Sequence, residues 1–310
     1  MSFRDDVLAG LGARPRAIPA RWFYDRTGSE LFELITELPE YYPTRAETAI
    51  LEAAADEVAA LVGPGRAVIE FGSGASTKTR VLLRRVRPPV YVPIDISGDF
   101  LREAARGLAG EFPGVEVVPF EADFTMAMTL PDVVADSPKL GFFPGSTIGN
   151  LEPAGAVDLL RAMRGSLGEG AMLLIGMDRV KDAGVLTAAY DDAAGVTARF
   201  NLNLLERINR ELDGDLAVDA FRHLARWNAG AARIEMHLEA VRDVGFTVAG
   251  KAFGMAAGET IHTENSHKYT DDAARLLLRA GGWEPVAEWT DPDALFAVLL
   301  AEARVVRPAP

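Results

Sequence analysis

Short apolar runs alternate with longer amphipathic stretches through the first half of this chain. The runs fall at 67–71, 90–95, 115–120, 139–144 and 171–177 and are nearly unbroken, the pattern of strands covered on both faces. Helix-period stretches separate them, which predicts a parallel sheet with helices on both sides, an α/β fold. Residues from about 180 to 268 are too many for a simple closing unit. They hold a helical stretch, VKDAGVLTAAYDDAAGVTARFNLNLLERINREL, then strand-like RIEMHLEAV, FTVAGKAF and ETIHTENS, and read as an insertion. Beyond it, DDAARLLLRAGGWEPVAEWTD reads as a helix stopped at Gly281 and Gly282, and ALFAVLLAEA as a last apolar strand returning to the sheet. The first forty-odd residues are dense in aromatics, with Trp22, Phe23, Tyr24, Phe32, Tyr41 and Tyr42, and are expected to form a lid on the insertion. Two domains follow: 46–179 with 269–310 for the sheet, and 1–45 with 180–268 for a discontinuous α+β domain.

The first sheet strand runs directly into a glycine loop and a helix start, AVIEFGSGASTKTR, residues 67–80. Gly72 and Gly74 let the backbone approach a ligand with no side chain in the way. The next strand, VYVPID, ends on Asp95, a carboxylate suited to ribose hydroxyls. A third, VEVVPFEADF, delivers Asp123 and Phe124, an acceptor for an adenine amino group and an apolar wall for its ring. Each feature has a plainer reading, the glycines as a tight turn and the aspartate as a helix cap. Their order on successive strands favours an adenosine cofactor. A dinucleotide fingerprint wants a third glycine where this chain has Thr77, and Glu-x-Gly-x-Gly is the loop style of S-adenosylmethionine-dependent methyltransferases.

Charge and composition narrow the partner. Forty-five acidic against 32 basic residues give a net charge of −13, which argues against nucleic acid and for a small-molecule substrate. There are no cysteines, so disulfides and thiolate chemistry are excluded. The start, MSFRDDVLAGLG, is too charged for a secretory signal, and no run approaches the roughly 18 apolar residues of a membrane span. A cytoplasmic monomer without a membrane partner is expected. The four histidines, His223, His237, His262 and His267, form no H-E-x-x-H pattern, and no metal is expected.

Methyl transfer from a sulfonium needs alignment and desolvation more than acid catalysis, so its substrate site should look like a binding site. FFPGSTIGN offers Gly145 and Gly149 for close approach and Asn150 as both donor and acceptor, although a glycine-rich turn is an equal reading. In ETIHTENS, strand spacing puts Glu264 and Ser266 on one face. An acceptor beside a hydroxyl matches neutral imidazole, with one N–H and one bare nitrogen, although an ordinary polar edge strand is the plainer alternative.

Long motifs then carry a resemblance. RWFYDRTGSELFELITELPEYYPTRAE, IEFGSGASTKTR, FFPGSTIGNLEP, AYDDAAGVTARFN, RWNAGAARIEMHL and TENSHKY together resemble the histidine Nα-methyltransferases of ergothioneine biosynthesis, over nearly the whole chain. The resemblance implies a class I methyltransferase fold whose discontinuous domain binds substrate, S-adenosylmethionine as donor, and three methyl transfers to the α-amino nitrogen of L-histidine, giving hercynine. It further assigns Tyr41, Asn150 and Tyr190 to the substrate's carboxylate and amino group, with Gly145 beside them. Tyr24 and Phe32 would line the methylation site, with Tyr24 and Asn150 the catalytic residues. Glu264 and Ser266 would hold the imidazole, with Met236 against its ring. Gly72, Ser73, Gly74, Lys78, Asp95, Asp123 and Phe124 would hold the cofactor, Lys78 pairing with the methionyl carboxylate. The rival readings are N-methylation of another aromatic amino acid (tryptophan or tyrosine type), an NAD-dependent oxidoreductase, and a non-catalytic S-adenosylmethionine-binding protein. Glu264 speaks for histidine, because an indole has one polar ring atom and would leave Ser266 or the carboxylate unpaired.

Overall fold

The structure is a computed structural model that describes residues 2–73, 77–96, 98–126 and 128–303. Its elements begin with α1 (Phe3–Gly12), β1 (Arg16–Ala17), α2 (Arg26–Glu37), α3 (Tyr42–Val62), β2 (Ala67–Phe71), α4 (Thr77–Val86), β3 (Val90–Asp95) and α5 (Gly98–Glu111). There follow β4 (Glu116–Val117), β5 (Phe120–Glu121), β6 (Lys139–Phe143), α6 (Pro153–Leu167), β7 (Met172–Asp178), α7 (Ala183–Tyr190), α8 (Val196–Glu211) and β8 (Phe221–Asn228). The chain closes with β9 (Arg233–Ala240), β10 (Val244–Val248), β11 (Lys251–Met255), β12 (Thr260–His267), α9 (Asp271–Ala280), β13 (Trp283–Thr290) and β14 (Phe296–Ala303). It divides into two compact units, Met1–Tyr42 with Lys181–Lys268, and Pro43–Val180 with Tyr269–Pro310. Among the described residues, no helix is long and apolar enough to cross a membrane.

The second unit is built on one sheet in the order β13-β14-β7-β6-β2-β3-β4, with β5 also on β3. Strands β2, β3, β6 and β7 are parallel neighbours, and successive residues go to opposite faces. Ala67, Ile69 and Phe71 join Leu159, Leu160 and Met163 of α6 on one side. Val68, with Leu140 and Leu174, joins Ile50, Leu51 and Val58 of α3 on the other. Both faces are covered, so every position of β2 is buried and the strand must be apolar throughout. The exception is Glu70, fully buried.

Three expectations change here. The strand expected over 115–120 is two dipeptide pairings, β4 and β5, because Pro119 has no N–H for the ladder. The sheet is not parallel throughout, since β14 lies between β7 and β13 and runs antiparallel to both. Its partner β13 follows the stop at Gly281 and Gly282, where the pattern predicts no strand. The helical stretch of the insertion is two helices. Gly195 adopts φ 67°, and the Asp192 carboxylate accepts the Val196 and Thr197 N–H groups at 2.9 and 2.7 Å, which starts α8 afresh.

The first unit carries a second sheet, β1-β12-β9-β8, antiparallel except for the short β1–β12 pair, and a separate β10–β11 hairpin. Strand β8 has no counterpart among the elements the pattern predicts. Helices α7 and α8 pack on this sheet, and α2 packs on α8. The entry into α2 is a tight corner. Asp25 caps the helix by accepting from Gly28 N at 2.7 Å, and the same oxygen accepts from Asn203 Nδ2 of α8 at 2.9 Å. Gly28 is obligatory, because a Cβ there would overlap the Phe23 carbonyl oxygen. Gly28→Ala should therefore cost about 2–4 kcal/mol in urea unfolding, at the high end for overpacking because backbone cannot step aside. A loss below about 0.5 kcal/mol would show that the corner is not tightly held.

Candidate active site

The carboxyl ends of the parallel strands in the second unit bring most of the expected cofactor residues to one edge of the sheet, where open α/β sheets bind ligands. After β2, Gly72 turns with φ 72° and its N–H bonds the Ile94 carbonyl at 2.9 Å. Ser73 is buried next to it, and Gly74 lies outside the described residues. A Cβ on Gly72 would stand 3.4 Å from the Phe124 ring, so that ring sits directly on the turn. Phe124 is also edge-on to Phe71 and Phe143, at 6.2 and 5.9 Å between centroids, which makes an apolar wall. Asp95 is half-buried at the end of β3. Asp123 is exposed, and one of its oxygens accepts from the N–H and hydroxyl of Thr125 at 3.0 and 2.5 Å. Lys78 is ion-paired with Glu47 at 2.5 Å, and the same Glu47 oxygen takes the Gly145 N–H at 2.8 Å. Gly145 opens the loop after β6 with φ 82°, and Asn150 ends a single 3-10 turn, Thr147–Asn150. An acceptor, an aromatic wall and a cation are residue types that fit a ligand with a ribose diol, an adenine and an amino-acid end.

The first unit encloses a ring-lined cavity. Its wall is formed by Phe32 and Ile35 of α2, by Tyr41, by Ala189 and Tyr190 at the end of α7, and by Thr197 and Phe200 of α8. The sheet contributes Met236 from β9 and Glu264 from β12. The rings form a chain, Tyr24 to Phe32 at 5.7 Å, Phe32 to Tyr41 at 6.3 Å, and Tyr41 to Tyr190 at 6.2 Å, with Phe200 meeting both Phe32 and Tyr24. Phe32, Tyr41, Tyr190, Met236 and Glu264 are thus assembled on one cavity. Ser266 is not on the wall. Its hydroxyl lies 2.7 Å from that of Tyr190, which is.

Glu264 reaches the cavity only through a bulge. His262 pairs with His237, but Glu264 pairs with Met236, so one extra residue intervenes on β12. With regular pairing Glu264 would face Glu235 on the opposite side of the sheet. Thr263 holds the bulge, with its Oγ1 2.9 Å from Asn201 Oδ1 and 3.1 Å from the Met236 carbonyl. From Glu264 onward the expected alternation holds. His262 is turned to His237, 4.9 Å between ring centroids.

A family model described as histidine-specific methyltransferase, SAM-dependent, matches residues 3–303. The chain belongs to that family. The histidine N-alpha-methyltransferase of Mycolicibacterium smegmatis is 42% identical over 97% of this chain and 94% of its own length. Ergothioneine biosynthesis protein 1 of Neurospora crassa is 29% identical over 94% of this chain, which corresponds to 34% of that longer protein. The solved structure of the CcbJ methyltransferase from Streptomyces caelestis aligns with 91% of this chain and 100% of its own at 16% identity and a TM-score of 0.50, a likeness of fold. The sheet is accordingly that of a class I, Rossmann-like methyltransferase, and S-adenosylmethionine is the cofactor of this histidine-specific family.

Three residues at or beside the candidate site fall inside the quoted motifs without being given a role there. Lys268 is buried, and its Nζ donates to Ser266 Oγ at 2.6 Å and to Tyr190 Oη at 2.9 Å. Its signal is the strand period itself, continued from 264 and 266. Glu47 is a buried acid on the stripe of α3 that otherwise carries Leu51, Ala54 and Val58. A carboxylate on an apolar stripe is a visible anomaly. Phe200 has only its place in AYDDAAGVTARFN to mark it. Electrostatics set Glu264 apart: burial pushes its carboxyl up to about 7, against the opposing pull of Lys268.

A carboxyl held near 7 rather than 4.5 carries a charging cost of roughly 3 kcal/mol when ionised. Because the folded value is the higher one, that stability is intact below the unfolded value and lost as pH rises through about 7. Glu264→Gln should therefore stabilise the ligand-free protein by about 1–3 kcal/mol at about pH 8 and by little at about pH 4, read by urea unfolding. An equal difference at both pH values would mean that Glu264 titrates as a solvated carboxyl.

Proposed function

We infer that this chain transfers three methyl groups in succession from S-adenosylmethionine to the α-amino nitrogen of L-histidine, giving hercynine on the route to ergothioneine. The observation that carries the choice of histidine is the Glu264 carboxylate on the wall of a cavity otherwise made of rings, apolar side chains and Thr197. A buried acceptor of this kind needs an N–H, and imidazole brings one. The Tyr190 hydroxyl, expected from the resemblance at the substrate's carboxylate and amino group, is here given to the other ring nitrogen, because it stands on the cavity wall with the Ser266 hydroxyl 2.7 Å behind it. Met236 packs against the ring, two positions along the register from the Ser266 partner Ile234.

S-adenosylmethionine supplies an electrophilic methyl on a sulfonium. Asp95 takes its ribose hydroxyls, Phe124 its adenine face with Asp123 at the ring edge, and Gly72, Ser73 and Gly74 the close backbone approach. Lys78 balances the methionyl carboxylate, with Glu47 holding the ammonium in place. Gly145 and Asn150 serve the amino-acid end of the substrate, and Tyr41 does so from the cavity wall. Each transfer makes a C–N bond as a C–S bond breaks, and the amine must enter each round without its proton. Tyr24 passes that proton to water. Aromatic faces at Tyr24, Phe32, Tyr41 and Phe200 tolerate the growing cationic head, because ring quadrupoles attract an ammonium that can no longer donate hydrogen bonds. The chain works on its small-molecule substrate as a cytoplasmic monomer, needing neither nucleic acid nor a membrane.

Incubation with S-adenosylmethionine and each of the twenty amino acids, followed by mass spectrometry, should yield a product three methyl groups heavier from histidine alone or with large preference. Equal conversion of tryptophan or tyrosine would move the substrate assignment to another aromatic amino acid. Asp95→Ala should weaken S-adenosylmethionine binding in calorimetry by about 1–3 kcal/mol, the cost of stranding buried polar partners. Unchanged affinity in the folded variant would remove Asp95 from the cofactor site.

A further inference from the structure

Lys268 closes a triangle of polar groups behind the cavity wall. Its Nζ lies 2.6 Å from Ser266 Oγ and 2.9 Å from Tyr190 Oη, and those two oxygens are 2.7 Å apart. The same ammonium sits 4.6 Å from the centroid of the Tyr190 ring. Ser266 and Lys268 are each 3% exposed, so the triangle is closed off from bulk water. Neither of them lines the cavity, whereas Tyr190 and Glu264 do.

An ammonium has three N–H groups and no acceptor, so it can only donate. Both hydroxyl oxygens therefore accept from Lys268, and the protons of the two hydroxyls have one contact to share. Whichever hydroxyl donates across the 2.7 Å contact, the proton of the other must point out of the triangle. A neutral side chain at 268 would leave that polarity free to reverse. The ammonium also follows Glu264 by four residues, just past the end of β12, and its charge opposes the upward push that burial gives the Glu264 carboxyl. Buried, an ammonium and a carboxylate each offset part of the cost of desolvating the other.

We propose that Lys268 is a positioning residue for side-chain recognition: it orients the Tyr190 and Ser266 hydroxyls and supplies the counter-charge to Glu264, so that the cavity selects a ring bearing both an N–H and a bare nitrogen. The proposal rests on the imidazole reading of the cavity given above. Lys268 itself touches no reacting atom. Its loss therefore acts on substrate selection and leaves the methyl-transfer step and the cofactor's residues alone.

The test is steady-state kinetics on the full chain with Lys268→Met, which keeps most of the aliphatic stem and removes the charge and donors. The KM for histidine should rise about tenfold or more while kcat changes less than about threefold, and the preference for histidine over phenylalanine should fall by about the same factor. Binding of S-adenosylhomocysteine in calorimetry should be unchanged. A lysine that served only to hold the fold would lower the yield of active enzyme and its apparent kcat, and would leave KM and side-chain preference where they were. That result would overturn the proposal. If Lys268→Met does not fold, Ser266→Ala removes one arm of the triangle and leaves the charge in place. It should raise the histidine KM and lower the same preference, and an unchanged preference would overturn the proposal equally. If the unaltered enzyme does not methylate histidine, the reading of the cavity fails first, an outcome distinct from an active enzyme indifferent to Lys268.

Discussion

A carboxylate has to stay available for charge inside a cavity built mainly of rings, and the first unit is arranged around that requirement. Moving a carboxylate out of water is expensive, and Glu264 shows the expense in a carboxyl raised to about 7 by burial. The compensation comes from the same strand. Residues 264 and 266 share one face of β12 and Lys268 follows directly after its end, so one run of backbone delivers the acid, a hydroxyl and the ammonium. The bulge at Thr263 selects that face, and Asn201 ties the bulge to α8. Asn201 also donates to His223 Nδ1 at 2.9 Å, which makes His223 Nε2 the protonated nitrogen and the donor to the Tyr190 carbonyl at 2.8 Å. One amide thus connects the placement of Glu264 with that of Tyr190, and burial, by lowering the His223 value, keeps that imidazole neutral for the purpose.

The second unit uses buried acids differently. Glu70, in the middle of an apolar strand, accepts from Thr79 Oγ1 at 2.8 Å and Tyr91 Oη at 2.6 Å, which fastens β2 to α4 and β3 on both sides of the glycine loop. Burial pushes its carboxyl up to about 8 against these hydrogen bonds, so near neutral pH it serves mainly as a neutral hydrogen-bonding group. Glu47 plays the complementary part with charge. It joins α3 to Lys78 of α4 and to the Gly145 N–H after β6. A Cβ on Gly176 would run into its second oxygen, so β7 carries a glycine to make room for it. The loops at the carboxyl edge of the sheet are held by acids that touch no ligand in the proposed reaction.

Sequence alone carried the alternating strands and helices of the sheet well, because a strand covered on both faces must be apolar at nearly every position and few other elements look like that. It missed features in which one residue overrides a pattern. Pro119 splits a strand, Gly195 with Asp192 splits a helix, and the β14 return between β7 and β13 leaves no local mark because antiparallel pairing is a matter of partner and not of composition. In β8 the apolar and polar positions alternate loosely, with His223 and Trp227 on the side that covers the core, and the run does not stand out. At the site, Glu264 was legible as one of two polar residues at strand spacing. The bulge that aims it was not, since period two describes both faces of a strand equally well until something else fixes which is inside.

Selectivity among aromatic amino acids then comes down to which wall residues can refuse a ring. Met236, Ile35 and Phe200 offer apolar contact, and a change of ring size against such surfaces is worth only about 1–3 kcal/mol. A phenyl ring entering the same cavity would leave Glu264 without a donor, and a polar group built to be paired rejects an unpaired partner by far larger factors than an apolar pocket can reach. The rings make the cavity hospitable to aromatic side chains in general, and under the proposed reading the refusal falls to Glu264 together with the Tyr190 hydroxyl and the groups behind it. Burial is what gives that carboxylate its power to discriminate. In water it would pair with solvent whatever ring arrived, so under the proposed reading it is the burial of Glu264 that lets the carboxylate tell imidazole from a ring without an N–H.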